Sequence, residues 1–200
     1  MTSYAPIRDP KSDRLVTPQN AALLVIDYQK TQVDSVKSRD HKELISNVVA
    51  VAKLAKLFGL PVVLSTVNVA NGAPPTVPEL AAEFPDAKAI DRTTINSWED
   101  EEFVRAVKAT GRKKLIMTAL WTEACLAFPT LDLLAEGYEV YPVVDAVGGT
   151  SREAHDTAIE RVVQAGAKPL TWVALACELQ RDWNRTSTSD GLSDIVFPRL

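Results

Sequence analysis

Three groups able to do chemistry together stand in separate, strongly apolar parts of the chain. Asp27 closes the run Ala21-Ala-Leu-Leu-Val-Ile, Arg92 follows Ile90-Asp91, and Cys125 comes just after Leu115-Ile-Met-Thr-Ala-Leu120. A sulfur can attack a carbonyl, a carboxylate can take the thiol proton, and a cation can hold charge and lower both pKa values. Past Cys125 the apolar residues recur at helical spacing: Ala124, Ala127/Phe128, Leu131, Leu134/Ala135. A strand that turns at once into a helix gathers backbone N–H groups at one point, which suits an oxyanion hole. The helix dipole at that point favours thiolate over thiol. Free cysteines are also among the most buried residues, so inert packing is the competing reading of Cys125.

Positioning these groups calls for an open α/β sheet. Apolar runs at Ala21–Asp27, Leu60–Thr66, around Ile90, at Leu115–Leu120 and at Gly137–Asp145 read as strands, with a short last one at Lys168–Thr171. Between them lie helical patterns. One follows a capping box at Asp40 and Glu43, runs its apolar face to Phe58 and stops at Gly59. A second opens on the acidic cluster Glu99–Glu102, buries Phe103, Val104 and Val107, and ends at Gly111. A third follows Thr150-x-x-Glu153, and a last one runs from Trp172 to Trp183. Residues 67–90 read as a long loop with one helical turn around Val77–Glu83. Alternating strands and helices demand parallel strands with right-handed crossovers and helices on both faces. In such a sheet the carboxyl ends of the first, third and fourth strands can converge on one crevice, bringing Asp27, Asp91-Arg92 and Cys125 together.

Composition bounds the remaining possibilities. Two hundred residues, 46% apolar and 24% charged, suit one globular domain with a sizeable core. Residues 21–183 hold the periodic segments. Residues 1–20 read as an extended arm, and 184–200 as a polar tail whose apolar end docks on this chain or on another copy. A net charge of −4 gives no basic footprint for nucleic acid. No apolar run has the length to cross a bilayer, and the first residues lack the apolar core of a secretory signal. Cys125 and Cys177 have no disulfide-framework spacing, so reduced thiols and a cytoplasmic location are expected. With only His41 and His155 and no Cys/His cluster, no metal site is expected. The absence of a glycine-rich phosphate loop disfavours nucleotide chemistry, and no cofactor is expected.

Taken together, Ala22-Leu-Leu-Val-Ile-Asp-Tyr-Gln29, Ile90-Asp-Arg-Thr-Thr-Ile-Asn-Ser-Trp98 and Leu120-Trp-Thr-Glu-Ala-Cys-Leu-Ala-Phe-Pro129 carry a resemblance that runs from about Asn20 to Trp183. Asp145–His155 and Glu178–Trp183 add to it. The chain resembles the isochorismatase-like cysteine hydrolases, in particular their YcaC-like branch. The resemblance implies a three-layer, Rossmann-like α/β fold with a six-stranded parallel sheet, ring or stacked-ring assemblies, and an Asp/Lys/Cys triad. By match of motif it makes Asp27 the general base and Cys125 the nucleophile, and it implies a cis peptide at Leu120–Trp121. The triad lysine falls at Arg92, and no lysine is nearer than Lys88. Arginine neutralises an anion bidentately but does not shuttle a proton at neutral pH. Ala119 stands where the family often has glycine.

Within the resembled superfamily, where true isochorismatases do not need the cysteine, Cys125 implies C–N cleavage of a small amide or carbamoyl compound through a thioester. Thr66–Ala70 offers no histidine of the kind that nicotinamidases of this superfamily use to hold a metal. Backbone around Leu120, Trp121 and Cys125 would form the oxyanion hole. Gln29, Trp98, Trp121 and Phe128 would line the pocket, with core packing or subunit contact as the competing reading of the two tryptophans. His155 is expected to make a structural hydrogen bond, and Cys177 to be packing. The expected partners are a small-molecule substrate and further copies of the chain, with neither nucleic acid nor membrane. The alternative, motivated by Arg92, is a catalytically weak or inactive ligand-binding or assembly protein of the same fold. A redox-sensing thiol lacks a resolving cysteine near Cys125 in sequence.

Overall fold

The computed structural model describes residues 5–199. Among these residues five parallel strands form one sheet: β1 (Ala21–Ile26), β2 (Val62–Val67), β3 (Ile90–Arg92), β4 (Lys114–Ala119) and β5 (Glu139–Pro142), in the order β3-β2-β1-β4-β5. From β1 the chain moves outward through β2 and β3, then returns to the other side for β4 and β5. The β1/β4 boundary is therefore a topological switch point, where a crevice opens beyond the carboxyl ends. Ile26 pairs with Ala119 on one side and Ser65 on the other, so Asp27 and Leu120 leave the sheet as neighbours.

Among the described residues eight α-helices connect and cover the strands: α1 (Lys30–Ser35), α2 (His41–Leu57), α3 (Pro78–Ala81), α4 (Glu101–Ala109), α5 (Ala127–Ala135), α6 (Arg152–Gln164), α7 (Trp172–Gln180) and α8 (Thr186–Val196). The alternation of side chains along β1 explains the three layers. Ala21, Leu23 and Val25 pack with Leu44, Val48 and Val51 of α2, Leu175 and Leu179 of α7, and Leu192 of α8. Ala22, Leu24 and Ile26 face the opposite way, onto Phe103 and Val107 of α4, Leu133 of α5 and Val162 of α6. Both faces are apolar, so β1 reads as an unbroken apolar run. Each fully buried Leu or Ile contributes roughly 1.5–3 kcal/mol.

Local signals set the helix ends. The Asp40 carboxylate accepts from the Lys42 and Glu43 N–H groups, and Asp100 caps α4 through Phe103 N–H. Gly59 follows α2 at φ 63°, a conformation glycine adopts without strain. The cap of α6 lies one residue later than the sequence suggests. Ser151 accepts from Ala154 N–H, and Thr150 is free to bond elsewhere.

One expectation changes and another is made definite. The sixth strand, Lys168–Thr171, is reduced to a single bridge between Val143 and Leu170. Lys168 N–H donates to Val140 O, Leu170 N–H to Pro142 O and Val144 N–H to Leu170 O, and the pairing goes no further because Thr171 already caps α7. The tail, read as polar with a docking apolar end, carries a helix, α8, and buries Leu192, Ile195 and Val196 against the same chain, one of the two places left open for it. Its Thr-Ser-Thr-Ser-Asp-Gly start has weak helix propensity, so packing holds it. A Cβ on Gly191 would sit 2.8 Å from a Leu57 methyl, which shows how closely α8 lies on α2.

The described part of the arm, residues 5–20, also lies on its own chain. Val16 is buried, its N–H donates to Glu178 Oε2 (2.7 Å), and its carbonyl accepts from Arg181 Nη2 (3.1 Å). Among the described residues no helix is long and apolar enough to cross a membrane.

Candidate active site

Asp27 follows the last residue of β1 with φ 61°, a left-handed conformation that Asp tolerates better than most side chains. Its N–H donates to Ser65 O at 3.0 Å. The turn points the carboxylate along the carboxyl edge of the sheet, where it is completely buried. Arg92 ends β3, two strands away, and its side chain crosses the end of β2 to reach Asp27. Nη1 donates to Oδ1 and Nη2 to Oδ2, each at 2.7 Å. Nη1 also approaches Thr66 O (3.1 Å) and Ser65 Oγ (3.3 Å), while Nη2 donates to Ile95 O (3.2 Å). Nε is buried with no protein partner.

Cys125 reaches the same place from β4. The chain leaves β4 through Leu120, crosses a cis peptide to Trp121, and enters one turn of π-helix, Thr122–Leu126, before α5. Leu126 N–H reaches back five residues to Trp121 O at 3.2 Å. Such wide turns inside helices recur at functional sites. Here the turn carries the thiol beside the Asp27–Arg92 pair, with the Trp121 N–H also acting on it. All three residues expected to act together therefore meet.

Their electrostatics differ from the sequence expectation in one respect. Burial, then the Asp27 carboxylate, push the Cys125 thiol up to about 12; Arg92 and the Trp121 N–H pull the other way without prevailing. The helix-dipole argument alone favours thiolate, but desolvation and the neighbouring Asp27 charge win, and the resting sulfur is a thiol. Arg92 is pulled down by burial but raised overall by Asp27, so it keeps its charge.

The remaining expected residues divide. Asp91 points away from the thiol: it accepts from Val69 N–H, Ala70 N–H and Thr66 Oγ1 and organises the turn after β2. Burial pushes its carboxyl up, but those donors hold it below its usual range. Gln29 is fully occupied, accepting from Val67 N–H (2.8 Å) and donating to Val67 O and Pro74 O (3.0 and 2.6 Å), so it tethers the loop after β2. Trp98 packs in the same apolar cluster as Cys125, donates from Nε1 to Glu136 Oε1 (2.7 Å), and meets Tyr138 edge-on. Trp121 is partly exposed, with Nε1 on Ser35 Oγ (2.7 Å), and Phe128 is 36% exposed. Cys125 itself retains 7% of its surface, and the described surface cavities, of 310 to 510 Å³, are lined by none of the three site residues.

His155 makes the hydrogen bond expected of it, Nδ1 to Thr122 Oγ1 at 2.9 Å. Cys177 is not packing. It lies on the solvent face of α7, between the buried Leu175 and Leu179. Contacts that the sequence does not single out are those of Ser65 and Ile95 with Arg92, and of Glu123 with Thr150. The Gly148-Gly149 pair is the one sequence signal near the last of these.

Residues 21–174 match the Isochorismatase domain family. The chain is 44% identical over 165 residues to the probable hydrolase YcaC of Escherichia coli (strain K12), covering 82% of this chain and 79% of that protein. The solved YcaC structure from Pseudomonas aeruginosa, described with hexane-2,5-diol and covalent acrylamide, superposes with a TM-score of 0.88 at 39% identity, over 94% of this chain and 92% of that one. The E. coli YcaC structure, described as an octameric hydrolase of unknown specificity, gives 0.87 at 40% identity, over 94% and 93%. With the fold and these likenesses in agreement, the chain belongs to the isochorismatase family of hydrolases, in its YcaC-like branch.

Proposed function

We propose that the protein is a cysteine hydrolase that cleaves the C–N bond of a small amide or carbamoyl compound through a thioester on Cys125. The observation that carries this reading is the placement of the Cys125 thiol against a fully buried Asp27–Arg92 pair. As Sγ attacks the substrate carbonyl, its proton passes to Asp27, so free thiolate need not accumulate. The negative charge on the carbonyl oxygen falls to backbone N–H groups at the π turn, of which Trp121 and Cys125 are the nearest by sequence. Asp27 then returns the proton to the departing nitrogen, and the C–N bond breaks. Water, deprotonated by Asp27, hydrolyses the thioester and regenerates the thiol. Arg92 stays charged throughout; it holds Asp27 in place and offsets its charge.

The small exposed fraction of Cys125 favours a compact substrate, admitted past Trp121 and Phe128. The covalent acrylamide described with the P. aeruginosa relative is an electrophile of the kind thiols attack, which supports a reactive cysteine in this branch. We also propose a homo-oligomer. The E. coli relative is described as octameric, and Ile95, Trp183 and Phe197 are each at least 60% exposed here.

One observation favours a second reading, a binding or assembly protein with little turnover: the Arg92 fork occupies both oxygens of the proposed base. Release of ammonia or amine from a panel of small amides separates the two. Turnover that vanishes in Cys125→Ser supports the hydrolase; ligand-induced thermal stabilisation with no product across the panel supports the second reading.

A further inference from the structure

The π turn that carries Cys125 is held from behind by groups outside the Asp27–Arg92–Cys125 trio. Glu123, two residues before the thiol, accepts from Thr150 twice, from N–H at 3.0 Å and from Oγ1 at 2.6 Å, both through Oε1. Oε2 is buried with no partner. It lies against the Cα of Gly149: a Cβ there would come within 2.6 Å of Oε2 and 3.0 Å of His155 N. On its other flank, Gly148 lies so close to Val36 that a Cβ would meet a methyl at 2.6 Å. Gly149 is fixed as well, its N–H on Ser38 Oγ (2.9 Å) and its carbonyl accepting from Lys37 and Ser38 N–H. Thr122 N–H donates to Gly148 O at 3.0 Å. The glycine pair is therefore wedged between the segment after α1 and the nucleophile turn, and Thr150 closes on Glu123.

A carboxylate with one oxygen doubly bonded and the other buried without a partner loses free energy locally. Stability alone does not account for an acid at this point. We infer that Glu123 and Thr150 form a clamp that fixes the pitch of the π turn, and with it the direction of attack of Cys125. Both are positioning residues: neither touches the thiol or Asp27, and they act through the backbone between Thr122 and Cys125. The inference rests on the cysteine reading above. Displacing a reacting atom by about 1 Å costs on the order of 10²-fold in rate, so a loosened clamp is measurable without substrate.

The test is the rate of adduct formation by acrylamide at each cysteine, resolved by peptide mass. Cys177, exposed on α7 and remote in sequence from the turn, is the internal control. Thr150→Val removes the hydroxyl at constant shape; Thr150→Ser keeps it; Glu123→Ala removes the acceptor. The expected result is a fall of at least about ten-fold at Cys125 in Thr150→Val and Glu123→Ala. Thr150→Ser should restore the rate, and Cys177 should react equally in all variants. The slope of log rate against pH at Cys125 should not change, because the clamp sets direction and not acidity. Should Glu123→Ala fail to fold, the Thr150 pair decides. Equal Cys125 rates in Thr150→Val and the unaltered chain, or no rescue by serine, overturn the clamp. No adduct at Cys125 in the unaltered chain overturns the cysteine reading instead, and the clamp's role with it.

Discussion

Arg92 grips Asp27 with both Nη atoms, one on each carboxylate oxygen at 2.7 Å, and both side chains are sealed from solvent. The two residues sit on strands that do not touch, with β2 between them, so the pair closes the carboxyl edge of the sheet as well as flanking the thiol. A buried ion pair contributes little net stability compared with apolar packing, but breaking it on one side leaves an isolated charge. Arg92→Met should therefore destabilise the chain by about 3–5 kcal/mol in urea unfolding. Asp27→Asn/Arg92→Met together should cost less than the sum of the single changes. Strict additivity would mean that the pair is not coupled in solution.

The raised thiol of Cys125 gives stability a pH signature. A group held protonated in the folded state contributes stability that is fully present below its unfolded pKa and lost as pH rises toward the folded value. The window runs from about 8.5, the ordinary cysteine value, to about 12. Within it the unaltered chain should lose about 1.4 kcal/mol per pH unit relative to Cys125→Ala. Parallel stability curves for the two proteins between pH 9 and 11 would contradict the protonated thiol.

Trp98 was expected to line a pocket, yet its Nε1–H is used on Glu136 and its ring packs against Tyr138. Trp98→Phe keeps most of the packing and removes the bond. Unfolding should show a loss of about 1–2 kcal/mol, with the acrylamide rate at Cys125 unchanged within two-fold. A large drop in that rate at preserved stability would place Trp98 in contact with the reactants.

Gln29 makes three hydrogen bonds to the segment from Val67 to Pro74. Gln29→Met would leave Val67 N–H without its acceptor and two carbonyls without their donor, costing about 1–3 kcal/mol for each group that stays buried. Limited proteolysis should then cut first between residues 68 and 76. Uncut loop and unchanged melting would show that water replaces the amide at no cost.

Much of this was legible from residue order. The apolar runs of β1 and β4 are buried on both faces, so their hydrophobicity identified them, and the acid closing β1 located the crevice. The Asp40 cap and Gly59 stop mark α2 because their chemistry is local. What escaped was set by tertiary contact. Helix α8 forms from a Ser/Thr-rich segment because Gly191 lets it lie on Leu57, and no local pattern announces that. The sixth strand shrinks to one bridge at Leu170 because Thr171 already caps α7, so the segment is too short to pair further. The thiol's acidity was misjudged because the dipole argument is local, whereas burial and the Asp27 charge come from elsewhere in the chain. Cys177 lies off the Leu175–Leu179 face of α7 that turns inward, a helical position that outweighs the general burial habit of free cysteines.

The central claim is that Asp27 relays the proton of a sulfur that forms a covalent acyl bond. Its most direct test is intact-mass analysis of the protein mixed rapidly with an activated small amide or ester and quenched in acid. The account predicts an added acyl mass that maps to Cys125, decays on incubation, is absent from Cys125→Ser, and forms at least about 10²-fold more slowly in Asp27→Asn. Product release without any adduct on Cys125, or an adduct that forms equally fast in Asp27→Asn, would contradict it.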